Sequence, residues 1–192
     1  MKKIGILALQ GDFEAHGRAL AALGAESALV RLASDFDQVD GLIIPGGEST
    51  TMLKLLHAEN LLEALAAFGK SRPILGTCAG AILLATGVSN PRQEGLGLLD
   101  IDVERNAYGR QIESRVARLT PEPEFEARTH AGEMEAVFIR APVIRRVGPL
   151  ARVLARYHDD PVLVEQGRHL AATFHPELTA DSRVHEFFLS KL

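Results

Sequence analysis

Short apolar runs closed by Gly or Pro alternate with segments of helical period through the first half of the chain. No other feature restricts the fold as much. IGILAL (Ile4–Leu9), SALVRL (Ser27–Leu32), GLIIP (Gly41–Pro45) and PILGT (Pro73–Thr77) read as strands. Such runs, continuous rather than alternating with polar residues, belong to strands buried on both faces. Between them, Phe13, Leu20 and Leu23 recur at roughly helical spacing ahead of Gly24, a good helix stop. Met52, Leu55, Leu56, Leu62 and Leu65 form an apolar stripe over Ser49–Phe68, which Asn60 is placed to break, and AGAILLAT opens a further helix after Thr77. This alternation predicts a parallel sheet covered by helices on both sides.

The second half changes character. Leu98–Arg105, Glu113–Thr120, Ala136–Pro142, Ala151–Tyr157, Pro161–Gly167 and His169–Pro176 are short strands with turn signals between them, which predicts an antiparallel section. Thr120–Glu135 is acidic and polar and reads as a surface loop. Ser182–Leu192 reads as a terminal helix with Val184, Phe187, Phe188 and Leu192 facing inward. A chain of 192 residues with 46% apolar and 24% charged residues fits one ordinary globular domain spanning 1–192.

A net charge of −4 and the lack of a long basic run remove the electrostatic footprint of a nucleic-acid binder; Arg145–Arg146 reads as a solvated face. Two lysines precede Ile4–Leu9, but that run is too short for a signal sequence or a membrane span. The lone cysteine, Cys78, cannot form an internal disulfide and fits a reducing compartment. The expectation is a cytoplasmic protein with neither nucleic acid nor membrane as partner.

Cys78 lies in GTCAG (Gly76–Gly80), between a predicted strand and a predicted helix. A G-x-C-x-G there is a nucleophile elbow, with the flanking glycines allowing close backbone approach and Ala79 N–H free to meet an oxyanion. A lone cysteine is equally at home as a small buried hydrophobe, and the local context leaves both readings open. FHPEL (Phe174–Leu178) follows a strand. In an extended chain His175 and Glu177 face the same side, so one strand end can supply a base and the carboxylate that orients it; a plain exposed loop also fits. PGGEST (Pro45–Thr50) lacks the lysine and spacing of a phosphate loop. Its glycines can turn N–H groups toward an oxyanion and Ser49 can cap a helix, or it is simply a strand–helix turn. Arg105 closes a strand and Arg140 lies among apolar residues, where a guanidinium reads a carboxylate or forms a salt bridge. His16, His57, His130, His158, His169 and His185 show no metal-ligand spacing.

Together GILALQGDFEAH, GLIIPGGESTTM, GTCAGAILLA, VERNAYGRQIES, VFIRAP and FHPELT make the chain resemble the class I, triad-type glutamine amidotransferases. Within them, LALQGD, PGGESTTM and RNAYGRQ resemble most the branch that serves pyridoxal 5'-phosphate synthases. Arg115, where such chains often carry Phe, and Thr120–Glu135 depart from the pattern outside these motifs. The resemblance implies a three-layer, doubly wound, flavodoxin-like α/β fold. It implies Cys78 as nucleophile, His175 as base and Glu177 as its orienting partner. Ala79 and the Gly46–Gly47 peptide would form the oxyanion hole. Gly47, Glu48, Ser49, Arg105, Ile139 and Arg140 would line a pocket for L-glutamine. It implies no cofactor and no metal. It also implies docking, around Gln10, Gly11 and His16, onto a β/α-barrel synthase subunit that receives the ammonia and brings the Gly46–Gly47 peptide to its active orientation. Glutaminase service to another synthase, a stand-alone hydrolase of glutamyl conjugates, and a catalytically silent docking module are the alternatives.

Overall fold

A computed structural model describes residues 2–107 and 114–192; residues 108–111 of the RNAYGRQ motif lie outside the described residues, as do 112 and 113. The chain runs β1 (Lys3–Leu7), α1 (Phe13–Ala22), β2 (Glu26–Val30), β3 (Gly41–Ile44), α2 (Ser49–Ala58), α3 (Leu62–Ser71), β4 (Ile74–Thr77) and α4 (Ala79–Leu84). It continues with β5 (Ala85–Ser89), β6 (Leu99–Glu104), β7 (Ser114–Pro121), α5 (Pro123–Arg128), β8 (Met134–Ile139), β9 (Val143–Val147), β10 (Arg152–Tyr157), β11 (Asp160–Gln166), β12 (His169–Ala172) and α6 (Arg183–Leu189).

The main sheet has the order β2-β1-β3-β4-β12-β11-β10-β7-β8. It is parallel from β2 to β12 and antiparallel from β12 to β8, so the predicted change of character falls inside one continuous sheet. Alternate residues of the parallel strands feed two cores. Leu42, Ile44, Ile74 and Ala171 pack with α2, α3 and α4 through Met52, Leu65 and Ile82. Ile43, Leu75, Leu170 and Ala172 pack on the other face with Leu20 of α1 and Val184, Phe187 and Phe188 of α6. Both faces are dry, which is why these strands carry no polar alternation.

The stripe over Ser49–Phe68 is two helices, divided where Asn60 takes a left-handed conformation (φ 54°). AGAILLAT yields only the short α4 before the chain turns directly into β5, part of a second sheet of order β5-β6-β9. Arg145 and Arg146 on β9 are exposed, as a solvated face requires, and ion-paired, Arg145 with Glu104 and Arg146 with Asp100 and Asp102. Thr120–Glu135 is not a bare loop. It completes β7, forms α5 and begins β8, because Phe125 is fully buried and meets Phe187 edge-on at 5.1 Å. Arg115 lies with its guanidinium 4.4 Å from the Tyr157 ring centre and 5.3 Å from that of Phe138, a cation–π contact that suits an arginine among aromatic rings. Among the described residues no helix is long and apolar enough to cross a membrane.

Candidate active site

Four adjacent parallel strands end at the same edge, and the loops leaving them build the site. β4 and β12 are neighbours, with Thr77 opposite Ala172. Cys78 follows the first directly and His175 follows the second within a few residues. The crevice outside the carboxyl ends of parallel strands is the usual ligand position in such sheets. Gly46–Ser49 leave β3 and Gln10–Asp12 leave β1, the next strands along.

Cys78 is held in a conformation that L-residues rarely adopt (φ 49°, ψ −103°). Its N–H donates to Ala172 O at 2.8 Å, which ties the elbow to the neighbouring strand. The flanking glycines are required by contact: a Cβ on Gly76 would strike the Gly80 backbone, and one on Gly80 would strike Ile44 O. The helix therefore starts as close to the sheet as backbone permits, and Cys78 is pushed out at the tip of the turn. Sγ is 3.8 Å from Ile139 O, at the end of β8. Strain of this kind persists only where the surroundings enforce it, and it favours the reading of Cys78 as chemistry over packing.

His175 and Glu177 come together by a route the sequence reading did not anticipate. β12 stops at Ala172, and Pro176–Leu178 form a single 3-10 turn. The i, i+2 pair meets across that turn, with His175 Nδ1 2.7 Å from Glu177 Oε1. The His175 backbone N–H donates to Val137 O on β8, which fixes the approach. Both residues are buried. Burial disfavours the charged imidazole, but hydrogen bonds and charge from Cys78 and Glu177 outweigh it and raise the His175 pKa above its ordinary value. The ring is thus set to hold a proton between a sulfur and a carboxylate.

These residues open onto a cavity of about 340 Å³, within the range of small-molecule sites. Gly46, Gly47, Glu48, Ser49, Arg105, Ile139, Arg140, Gln10 and Gly11 line it together with Cys78 and His175. Every residue expected to bind glutamine is therefore at the cavity wall. Gly46 sits against His175 and Cys78, since a Cβ there would collide with the His175 ring, and Gly47 has φ 150°. Arg140 is just past β8, not within it, in a left-handed conformation (φ 42°) that turns an exposed side chain to the cavity mouth. Arg105 donates to Thr50 Oγ1 at 2.7 Å and pairs with Glu48 Oε1 at 3.2 Å.

The cap of α2 is Glu48, not Ser49. Its carboxylate accepts from Thr50 N and Thr51 N, whereas Ser49 Oγ donates to Gln93 Oε1. Burial opposes the Glu48 charge, but the donors of Thr50 and Thr51 bring its pKa down to about 2. The Gln10 side chain accepts from Glu48 N at 3.0 Å, so one loop steadies the other.

His16 was expected beside Gln10 and Gly11 on a docking face. It is instead fully buried, because α1 turns it inward against the sheet, where it meets Thr77, His185 and Glu177. Arg183 was not anticipated at all. It is 2% exposed, and its guanidinium gathers Asp181 and the carbonyls of His130, Gly132 and Glu133. These contacts join the start of α6 to the loop before β8, the strand that carries Ile139. A short polar segment such as ADSRV gives no local sign of this, since the three carbonyl partners lie far away in sequence. Among the described residues no cluster of His, Cys, Asp and Glu has the makings of a metal site.

The model of the SNO glutamine amidotransferase family matches residues 6–192. The chain is 63% identical, over all of both chains, to a protein of Solibacter usitatus (strain Ellin6076) named pyridoxal 5'-phosphate synthase subunit PdxT. It is 57% identical to the protein of that name from Koribacter versatilis (strain Ellin345), over 97% of this chain and 94% of that one. A crystal structure described as a glutamine amidotransferase superposes with a TM-score of 0.88 at 46% identity, covering 98% of this chain and 97% of the other.

Proposed function

The chain belongs to the SNO glutamine amidotransferase family, and from that premise we propose that it is the glutaminase subunit of a pyridoxal 5'-phosphate synthase, hydrolysing L-glutamine to L-glutamate and ammonia. One observation carries the chemistry. Cys78, strained at its elbow, shares a cavity with a histidine whose far nitrogen is held by a buried glutamate.

The Cys78 thiolate attacks the side-chain amide carbon of glutamine. Charge develops on the amide oxygen, facing Ala79 N–H and the Gly46–Gly47 peptide; each such donor is worth about 3–4 kcal/mol in other hydrolases. His175 passes its proton to the departing nitrogen, so ammonia leaves and a γ-glutamyl thioester remains on Cys78. His175, now neutral, takes a proton from water as the water adds to the thioester carbonyl. Sulfur then departs as thiolate, glutamate is released, and the histidine carries its proton again. An imidazole with raised proton affinity suits the first step, and Glu177 Oε1 keeps the ring turned the right way. Glu48, Arg105 and Arg140 supply charged groups at the cavity wall for the α-amino and α-carboxylate groups of the amino acid.

The ammonia serves a β/α-barrel synthase subunit that docks near Gln10 and Gly11. Gln10 holds Glu48 N, next to the oxyanion peptide, so a partner that engages this loop acts directly on that peptide. The test is ammonia release from glutamine by the chain alone and with its synthase. Turnover is expected to rise when the synthase is added. Equal turnover in both samples contradicts gating, and no turnover in either contradicts the function.

A further inference from the structure

We infer that His16 and His185 are positioning residues of the hydrolytic site: His16, steered by His185, donates to the second oxygen of Glu177 and keeps that carboxylate fixed against His175. The inference rests on the glutaminase reading above.

Glu177 has two oxygens in different circumstances. Oε1 meets His175 Nδ1 at 2.7 Å. Oε2 is buried without a well-aligned donor, and His16 Nε2 stands 3.4 Å from it. His16 Nε2 is also 3.2 Å from Thr77 Oγ1, the residue before the nucleophile. On its other side, His16 Nδ1 is 3.0 Å from His185 Nε2, and both rings are essentially inaccessible to water. Each oxygen of the carboxylate thus faces an imidazole, His175 toward the substrate and His16 away from it.

The tautomers follow from these contacts. Burial first, then the charges of His185 and His175, depress the His16 pKa well below its ordinary value; burial lowers that of His185 to about 4. Both rings are therefore neutral at neutral pH, with one N–H each. The bond between them needs a single proton. Were it on His16 Nδ1, the bare lone pair of Nε2 would face a carboxylate oxygen in a dry interior. With the proton on His185 Nε2 instead, His16 accepts at Nδ1 and keeps its own N–H at Nε2 for Glu177 and Thr77. His185 thereby sets the tautomer of His16, as a second group orients a ligand histidine at a metal site. The titratable groups around this carboxylate are His175 on its own turn, His16 on α1, His185 on α6 behind His16, and Cys78 beyond His175.

The test is the pH profile of kcat/KM for glutamine in the complex with the synthase. In His16→Leu the oxygen loses its nearby donor, and the carboxylate is free to turn out of line with His175 Nδ1. A displaced Glu177 supports the charged His175 less, so the alkaline limb, where His175 gives up its proton, moves down by on the order of one pH unit. His16→Gln places an amide N–H near the position of Nε2 and is expected to restore the limb. His16→Asn reaches only the Nδ1 position, facing His185, and is expected to behave like the loss. A folded His16→Leu with an unmoved alkaline limb overturns the inference. So does a His16→Gln profile shifted as far as that of His16→Asn, and this pair decides the matter if His16→Leu fails to fold. An inactive wild-type complex would instead remove the glutaminase reading itself.

Discussion

Replacing Cys78 with alanine is expected to abolish glutamine hydrolysis in the synthase complex, with a loss of at least about 10⁴-fold, while the protein keeps its fold and its partner. The size follows from the role. Removing the nucleophile of a triad leaves only what the oxyanion donors and substrate binding contribute, and in a serine hydrolase that single loss costs about as much as losing the whole triad. Stability should change little. The side chain that disappears is one sulfur at 6% exposure, and Ala79, Gly80 and the contacts that hold the elbow are backbone. Alanine also relieves none of the backbone strain, since φ 49° is as awkward for alanine as for cysteine. The measurement is the rate of glutamate formation by wild type and variant at equal folded concentration. Retained turnover would place the chemistry elsewhere.

The second large effect concerns stability. Arg183→Met should destabilise the fold by about 3–5 kcal/mol, as expected when one partner of a buried charged network is removed. Asp181 would be left without its guanidinium and three carbonyls of the loop before β8 without a donor. In a chain of this length that corresponds to a Tm lower by roughly 6–20 °C. Arg183→Lys should recover only part, since an ammonium cannot reproduce the planar fork that bridges an acid and several carbonyls. The pH dependence has a definite sign. Burial raises the Asp181 pKa, but the hydrogen bonds and charge of Arg183 outweigh this and lower it. A carboxylate whose folded pKa is depressed contributes stability above its unfolded pKa and loses it as pH falls through the folded value. The gap in Tm between wild type and Arg183→Met should therefore narrow in acid. A gap that is small at neutral pH, or that widens in acid, would contradict the assignment.

What was legible in the sequence and what was not divide along physical lines. The parallel half was legible because β1, β3 and β4 are dry on both faces and so carry unbroken apolar runs between Gly and Pro. β5 was not, because Ala85 continues the apolar run of α4 with no punctuation between helix and strand. β9 shows Arg145 and Arg146 in place of an apolar face, their charges neutralised by acids on the neighbouring strand. α5 was hidden by its acidic residues, and the single buried ring of Phe125 holds it down. In the candidate site, glycines marked the turn at Cys78 and the i, i+2 spacing marked His175 and Glu177 as a pair, each beside a plain structural reading, and a 3-10 turn rather than an extended strand brings the last two together. His16, His185 and Arg183 gave no signal. The partners of His16 and His185 are distant in sequence, and the packing of α1 and α6 on one face of the sheet brings them together, while Arg183 adds three carbonyls of the loop before β8 to its local Asp181.

A Cys78 that bonds covalently to the side-chain carbonyl carbon of glutamine will also be trapped by an electrophile shaped like glutamine. The most direct measurement is peptide mass mapping of the synthase complex after treatment with acivicin, a glutamine-like electrophile, with and without excess L-glutamine. The account predicts one adduct, on the peptide that contains Cys78, suppressed by glutamine and missing from Cys78→Ala. An active complex that carries no adduct, or carries it on another residue, would contradict it.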